Sequence, residues 1–108
     1  MLDFEFVVQC CTILQCCGFF VTEAPCIKKT FVKPIPNKTL VNHVISNSTV
    51  TSEEGCKIQC FIEATCESYN FGLKEDGGYV CELSNSDAIR DPQDWVAKQR
   101  HLYVGTLV

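Results

Sequence analysis

The thiols carry most of the chemistry that this sequence has to offer. Nine of its 108 residues are cysteine, close to the usage at which a short chain reads as a disulfide scaffold. Cys10, Cys11, Cys16 and Cys17 crowd an apolar N-terminal stretch, while Cys26, Cys56, Cys60, Cys66 and Cys81 are spread through the remainder. Two chemistries compete for Cys56, Cys60, Cys66 and Cys81: a four-thiolate zinc site or a pair of disulfides. Zinc ribbons and knuckles set cysteines about two to four residues apart, twice over, in tight turns. Here the close pair falls inside a predicted helix and the second pair is widely split, so disulfides fit better. Helical neighbours four residues apart point in parallel, which disfavours a Cys56–Cys60 bond. Cys60, nearer the helix end, can meet Cys66 as the chain turns back, and Cys56 then takes Cys81. Cys26 is left over, which implies a missing partner, an intermolecular bond or a free thiol.

The other reactive side chains form no comparable set. His43 and His101 have no nucleophile or carboxylate beside them at a familiar spacing, and a lone histidine is far more often structural than catalytic. No catalytic residue is assigned, and the chain is not read as an enzyme. Asp87, Asp91 and Asp94 lack the regular alternation and the glycine of a calcium loop; they read as a solvated acidic loop, so no metal ligand or cofactor is assigned. Trp95 and Tyr103 are either core or exposed anchors for a partner, with core the better reading for Trp95. Asn37-Lys38-Thr39 and Asn47-Ser48-Thr49 are N-glycosylation sequons, both placed in predicted turns. The net charge is −4. The nearest approach to a basic stripe, Lys28, Lys29, Lys33 and Lys38, is broken by prolines, which counts against nucleic acid or an anionic membrane as partner.

The elements that must position these residues begin after an apolar run over 6–21. That run is short for a membrane span, which takes about 20 apolar residues, but suits the apolar region of a leader, so residues 1–23 are read as a cleaved signal peptide. Asp3 and Glu5, with no Lys or Arg before the run, depart from the usual basic start. A start created by truncation is a second reading, and palmitoylation or core packing of the paired cysteines a third. Residues 24–108 make one domain. Strands are predicted over 29–33 and 40–45, then a helix over 52–64 opened by a Thr51/Glu54 capping box. Strands over 67–73 and 79–83 flank Asp76-Gly77-Gly78, read as a type I′ hairpin turn. A polar loop over 84–100 leads to a closing strand over 101–106.

These residues, taken together, resemble a known family. The run TSEEGCKIQCFIEATCESYNF, then YVCEL after a Gly-rich turn, then HLYVG, resembles the PAN/Apple domain family over about residues 26–106. Cys66, Ser68, Asn70, Cys81 and Leu83 match its pattern in order. The resemblance implies an α+β fold, a single helix packed on a curled antiparallel sheet, with core disulfides Cys56–Cys81 and Cys60–Cys66. Apple-type members add a third bond between the N- and C-terminal strands; Cys26 stands where its first half belongs, and the second half would lie beyond Val108. That departure implies either a truncated C-terminal edge or an isolated module with an unpaired thiol. The role implied is non-catalytic recognition or adhesion, outside the cell or on its surface, within a larger multidomain protein, with a protein or glycan as ligand. No ligand-contact residue carries over. The competing class is an intracellular thiol-rich protein that binds zinc, or is held to a membrane through palmitoylated N-terminal cysteines. Thiol counting on protein from native tissue separates the two: the extracellular reading expects Cys56, Cys60, Cys66 and Cys81 to be oxidised, and reduced cysteines holding zinc would end it.

Overall fold

A computed structural model describes residues 4–8 and 27–107 of the chain. In order they form β1 (Phe4–Val8), β2 (Ile27–Phe31), β3 (Ile35–Leu40), β4 (Val44–Val50), α1 (Glu53–Ile62), β5 (Ser68–Leu73), β6 (Tyr79–Ser84), a single 3-10 turn (Pro92–Asp94) and β7 (Trp95–Leu107). The strands lie in the order β1-β2-β7-β5-β6-β4, with β3 also paired to β7, and every pairing is antiparallel. One helix packed against a curled antiparallel sheet is an α+β architecture. The strand β1 falls within the segment predicted as a leader and pairs by its backbone with β2. The proposed boundary at residue 23, and Cys10, Cys11, Cys16, Cys17 and Cys26, lie outside the described residues.

The helix starts one residue later than its capping signal suggested. Ser52, in extended conformation, is the N-cap, and its side chain accepts the Gly55 amide at 3.3 Å. Thr51 therefore stands outside the helix, and Glu53 and Glu54 occupy the first turn, where the helix dipole favours acid. Glu53 also accepts the Tyr69 hydroxyl at 2.6 Å, which ties the helix start to β5. At the other end the backbone leaves the helix at Glu63, so Ala64 is exposed rather than on the core face. The last turn carries no basic residue of its own. Lys29 supplies the charge from β2: its ammonium donates to the carbonyls of Cys60, Glu63 and Cys66 at 2.5, 2.7 and 3.2 Å. The first two are acceptors of the kind that a helix C-terminus leaves behind, and the third lies just past the helix. Burial pushes the Lys29 amine below its ordinary pKa, against the opposing pull of Glu67 and Glu63.

Beneath α1 the core gathers Phe31, Val50, Cys56, Phe61, Tyr69, Leu83 and Val104 with the buried sulfurs of Cys60, Cys66 and Cys81. Cys56 is bonded to Cys81 on β6, and Cys60 to Cys66 just past the helix. By the loop-entropy relation the two closures contribute about 3.5 and 2.5 kcal/mol, comparable to the whole stability of a domain this small. Asn70 is fully buried on β5 and treats Leu40 as a strand neighbour would. Its Oδ1 accepts the Leu40 amide at 3.0 Å and its Nδ2 donates to the Leu40 carbonyl at 2.9 Å.

Four local expectations give way to tertiary structure. The strand expected over 40–45 is instead the junction of β3 and β4: Asn42 adopts φ 72, a left-handed conformation that asparagine tolerates and that turns the chain. The hairpin after β5 is closed by residues 74–78, not by a two-residue turn. Only Gly77 has positive φ there, and the Lys74 amide donates to the Gly78 carbonyl at 2.7 Å. The polar loop expected over 84–100 ends early, because β7 already begins at Trp95. Both sequons lie in strands, Asn37 in β3 and Asn47 in β4, and both residues are exposed.

Lys29→Met is expected to lower unfolding free energy by about 1–2 kcal/mol, the scale of lost charge-assisted hydrogen bonds, as read by urea denaturation of the non-reduced protein. The same change at the exposed Lys33 should be silent.

Candidate ligand-binding groove

The sheet carries one large irregularity. On β3, Pro36 pairs with Leu102 and Lys38 pairs with Ala97. Asn37 alone therefore faces Lys98, Gln99, Arg100 and His101, and β7 must pucker outward to accommodate the surplus. Asn37 and Arg100 both adopt φ 62. Asparagine accepts that region readily, whereas for arginine it costs about 1–2 kcal/mol. Asn37 holds the strained residue in place, its Oδ1 accepting the Arg100 amide at 3.3 Å. Bulges of this kind re-aim side chains, and strained backbone concentrates at functional sites.

The pucker forms one wall of an open groove of about 770 Å³ on the sheet. Side chains alternate across a strand. Ser48 and Cys81 face α1, Ser48 donating to Gln59 and Cys81 bonding Cys56. Their neighbours Asn47, Thr49, Val80 and Glu82 consequently face the opposite side and line the groove. Lys98 and Arg100 stand exposed on its rim, and among the described residues neither side chain has a hydrogen-bond or ion-pair partner. Lys74 is less available, donating to Thr49 at 3.3 Å and lying 3.9 Å from Asp76. The floor is set by His101, which is 7 % exposed and lies over Gly72 on β5. A Cβ at residue 72 would collide with the His101 imidazole, so glycine is required there by close approach alone.

Other residues singled out in the sequence lie elsewhere. Trp95 is half-buried, edge-on to Tyr103 with centroids 5.7 Å apart, and has the Lys38 ammonium 4.5 Å from its ring. Its indole Nε1 is buried without an acceptor among the described residues. Tyr103 is a core residue, 3 % exposed, whose hydroxyl accepts the Ala88 amide at 2.8 Å and whose pKa is raised by burial. With Ile35 and the 87 % exposed Ile89, these rings line an apolar recess of about 410 Å³.

The acidic loop is not simply solvated. Asp87 caps its own turn, accepting the Ile89 and Arg90 amides at 3.0 and 2.8 Å. Asp91 and Asp94 converge on His43, whose Nε2 is 3.5 Å from Asp91 Oδ2 and 2.8 Å from Asp94 Oδ2. His43 thus sits in the turn between β3 and β4 with two carboxylates beside it, which corrects the reading of an unaccompanied strand histidine. Hydrogen bonds from His43 and Asn42 hold the Asp94 carboxyl below its ordinary pKa, and one from Ser86 does the same for Asp91.

Gly72→Ala is expected to cost about 1–3 kcal/mol, the usual penalty of overpacking. Urea denaturation of Gly72→Ala, His101→Ala and the double variant should show most of that loss recovered in the double, since removing the imidazole removes the clash.

A family model of the PAN domain matches residues 26–104. No curated protein and no solved structure matches the chain. PAN domains are protein- or carbohydrate-binding modules of extracellular proteins and are generally non-catalytic. Because the match runs from Cys26 into β7 and takes in α1, both disulfides and the bulged wall of the groove, the chain belongs to the PAN domain family.

Proposed function

We propose that the domain is an extracellular, non-catalytic recognition module that takes a protein or glycan ligand in the groove walled by Lys98, Gln99, Arg100 and His101. The observation that carries this reading is Arg100. An exposed arginine held at φ 62 on a bulge carries backbone strain and, among the described residues, no side-chain hydrogen-bond or ion-pair partner, which is the pattern expected where backbone geometry serves binding. Lys98 and Arg100 are donors with no side-chain partner among the described residues, and Asn47, Thr49 and Glu82 offer the mixed hydrogen-bonding surface that a polar ligand needs.

An oxidising compartment accords with two buried disulfides, and secretion or display at the cell surface is part of the proposal. So are a leader over 1–23, a domain over 24–108, a C-terminal edge completed by a longer multidomain chain, and Cys26 as an unpaired thiol or half of a third disulfide. Among the described residues no helix is long and apolar enough to cross a membrane. Asn37 and Asn47 are the proposed glycan acceptors. At Asn37 the amide oxygen is engaged by Arg100 and the nitrogen is left for the sugar. Asn47 lines the groove, so a glycan there would restrict it.

Arg100→Gly tests the reading, because glycine occupies the left-handed region without penalty. Stability is expected to rise by about 1 kcal/mol, while retention on a glycan array and in pull-downs against extracellular matrix falls. Lys98→Glu should weaken binding with stability unchanged. Ligand retention by both variants at the level of the native domain would place recognition elsewhere.

A further inference from the structure

We propose that His43, Asp91 and Asp94 bind one divalent transition-metal cation of the zinc class. The three donors, an imidazole nitrogen and two carboxylate oxygens, all lie within 4.8 Å of one another. The two distances from His43 Nε2, 2.8 and 3.5 Å, bracket the edge of a zinc tetrahedron, about 3.3 Å for bonds of about 2.0 Å. A cation could therefore be seated by small side-chain adjustments. Two carboxylates share a single imidazole, and the ion pairs described for Asp91 and Asp94 are both to His43. Arg90, next to Asp91, pairs with Glu67 at 3.3 Å and acts on the Asp91 carboxylate only through space. The cluster therefore carries more negative charge than its one imidazole can balance.

The donors are held by an outer layer of contacts. Asn42 Nδ2 donates to Asp94 Oδ1 at 2.9 Å, and Asp94 Oδ2 faces His43 at 2.8 Å while also accepting Gln93 Nε2 at 3.4 Å. The Ser86 hydroxyl donates to Asp91 Oδ2, and Gln93 Nε2 donates to Asp91 Oδ1 at 3.2 Å. Backbone bonds fix the two contributing segments to each other and to the end of β6: Val41 N–H to the Asp94 carbonyl at 3.0 Å, and Asn85 N–H to the His43 carbonyl at 3.1 Å. Partners that orient the carboxylates in this way are the usual companions of metal ligands. The side chains of His43, Asp91 and Asp94 are 25, 27 and 17 % exposed, so water can reach the site and complete the coordination. Imidazole and a small donor count favour zinc over calcium, which takes about six to eight oxygens.

The test uses non-reduced protein with free thiols alkylated, so that cysteine cannot capture the metal. His43 and His101 are the only histidines, and their ring resonances can be followed separately. Zinc chloride is expected to shift the His43 ring and leave His101 unmoved, and to raise the unfolding temperature where calcium chloride does not. Asp94→Asn should weaken zinc affinity by at least about tenfold, with Asp87→Asn unchanged. A His43 ring that stays unmoved up to about 1 mM zinc, the millimolar limit of weak affinity, would overturn the proposal in the native protein without recourse to any variant. Equal responses to zinc and calcium, or native affinity in Asp94→Asn, would overturn it as well.

Discussion

A ten-residue helix cannot stand alone in water, because nucleation costs more than so few turns return. Everything in this domain depends on holding α1 against the sheet. Three links do so at different points: Tyr69 to Glu53 at its start, Cys56–Cys81 through its middle, and the Lys29 ammonium with Cys60–Cys66 at its end. The middle link is buried completely at both cysteines, so it constrains the unfolded chain while also filling core volume. The Lys29 contact acts differently, by completing a helix terminus whose own sequence lacks a cation. It thereby makes β2 part of the helix's environment.

With α1 occupying one face of the sheet, the other face is covered at Asn70 and Tyr103 by Leu40 and the turn at Ala88, and it is open beside β4 and β6, where its polarity follows from strand alternation. Cys81 and Leu83 turn inward from β6, so Val80 and Glu82 must turn outward. The groove is thus a by-product of the same period that builds the core. What sets it apart from an ordinary solvated face is the mismatch between β3 and β7, which gathers above a histidine floor two cations that have no partner among the described residues. The requirement for glycine at residue 72 belongs to the same construction: β5 must come close enough to seat His101, and any side chain there would lift it.

Much of the fold was legible from local sequence. The helix announces itself through Ser52, Glu53 and Glu54 and through cysteines four residues apart. The β5–β6 hairpin announces itself through apolar alternation on either side of glycines. The rest was hidden for identifiable reasons. Val41 and Ile45 share a strand-like spacing, yet both are exposed and straddle the Asn42 turn, so alternation there does not report burial. The first half of β7 pairs only with β3 and presents Val96, Ala97, Lys98 and Gln99 to solvent, which leaves no apolar alternation to read. The groove needs four separate segments and a register mismatch. His43 and Asp94 are 51 residues apart, and no local pattern joins residues that only the sheet brings together.

That hidden half of β7 explains how a strained arginine survives. The strand is anchored twice, by different partners. Its start is held to the β3–β4 turn through Asp94, which accepts the Val41 amide on its carbonyl and the Asn42 and His43 side chains on its carboxylate. Its later part is locked into β5, where Tyr103 and Val104 are buried and His101 lies across Gly72. Between these anchors β3 supplies Asn37 alone and β7 supplies Lys98, Gln99 and Arg100, so the excess goes outward over the groove. A penalty of about 1–2 kcal/mol at one residue is small beside the packing and hydrogen bonding fixed on either side of it. The strain at Arg100 is therefore a consequence of two well-made attachments, and those attachments keep the rim of the groove in a defined shape.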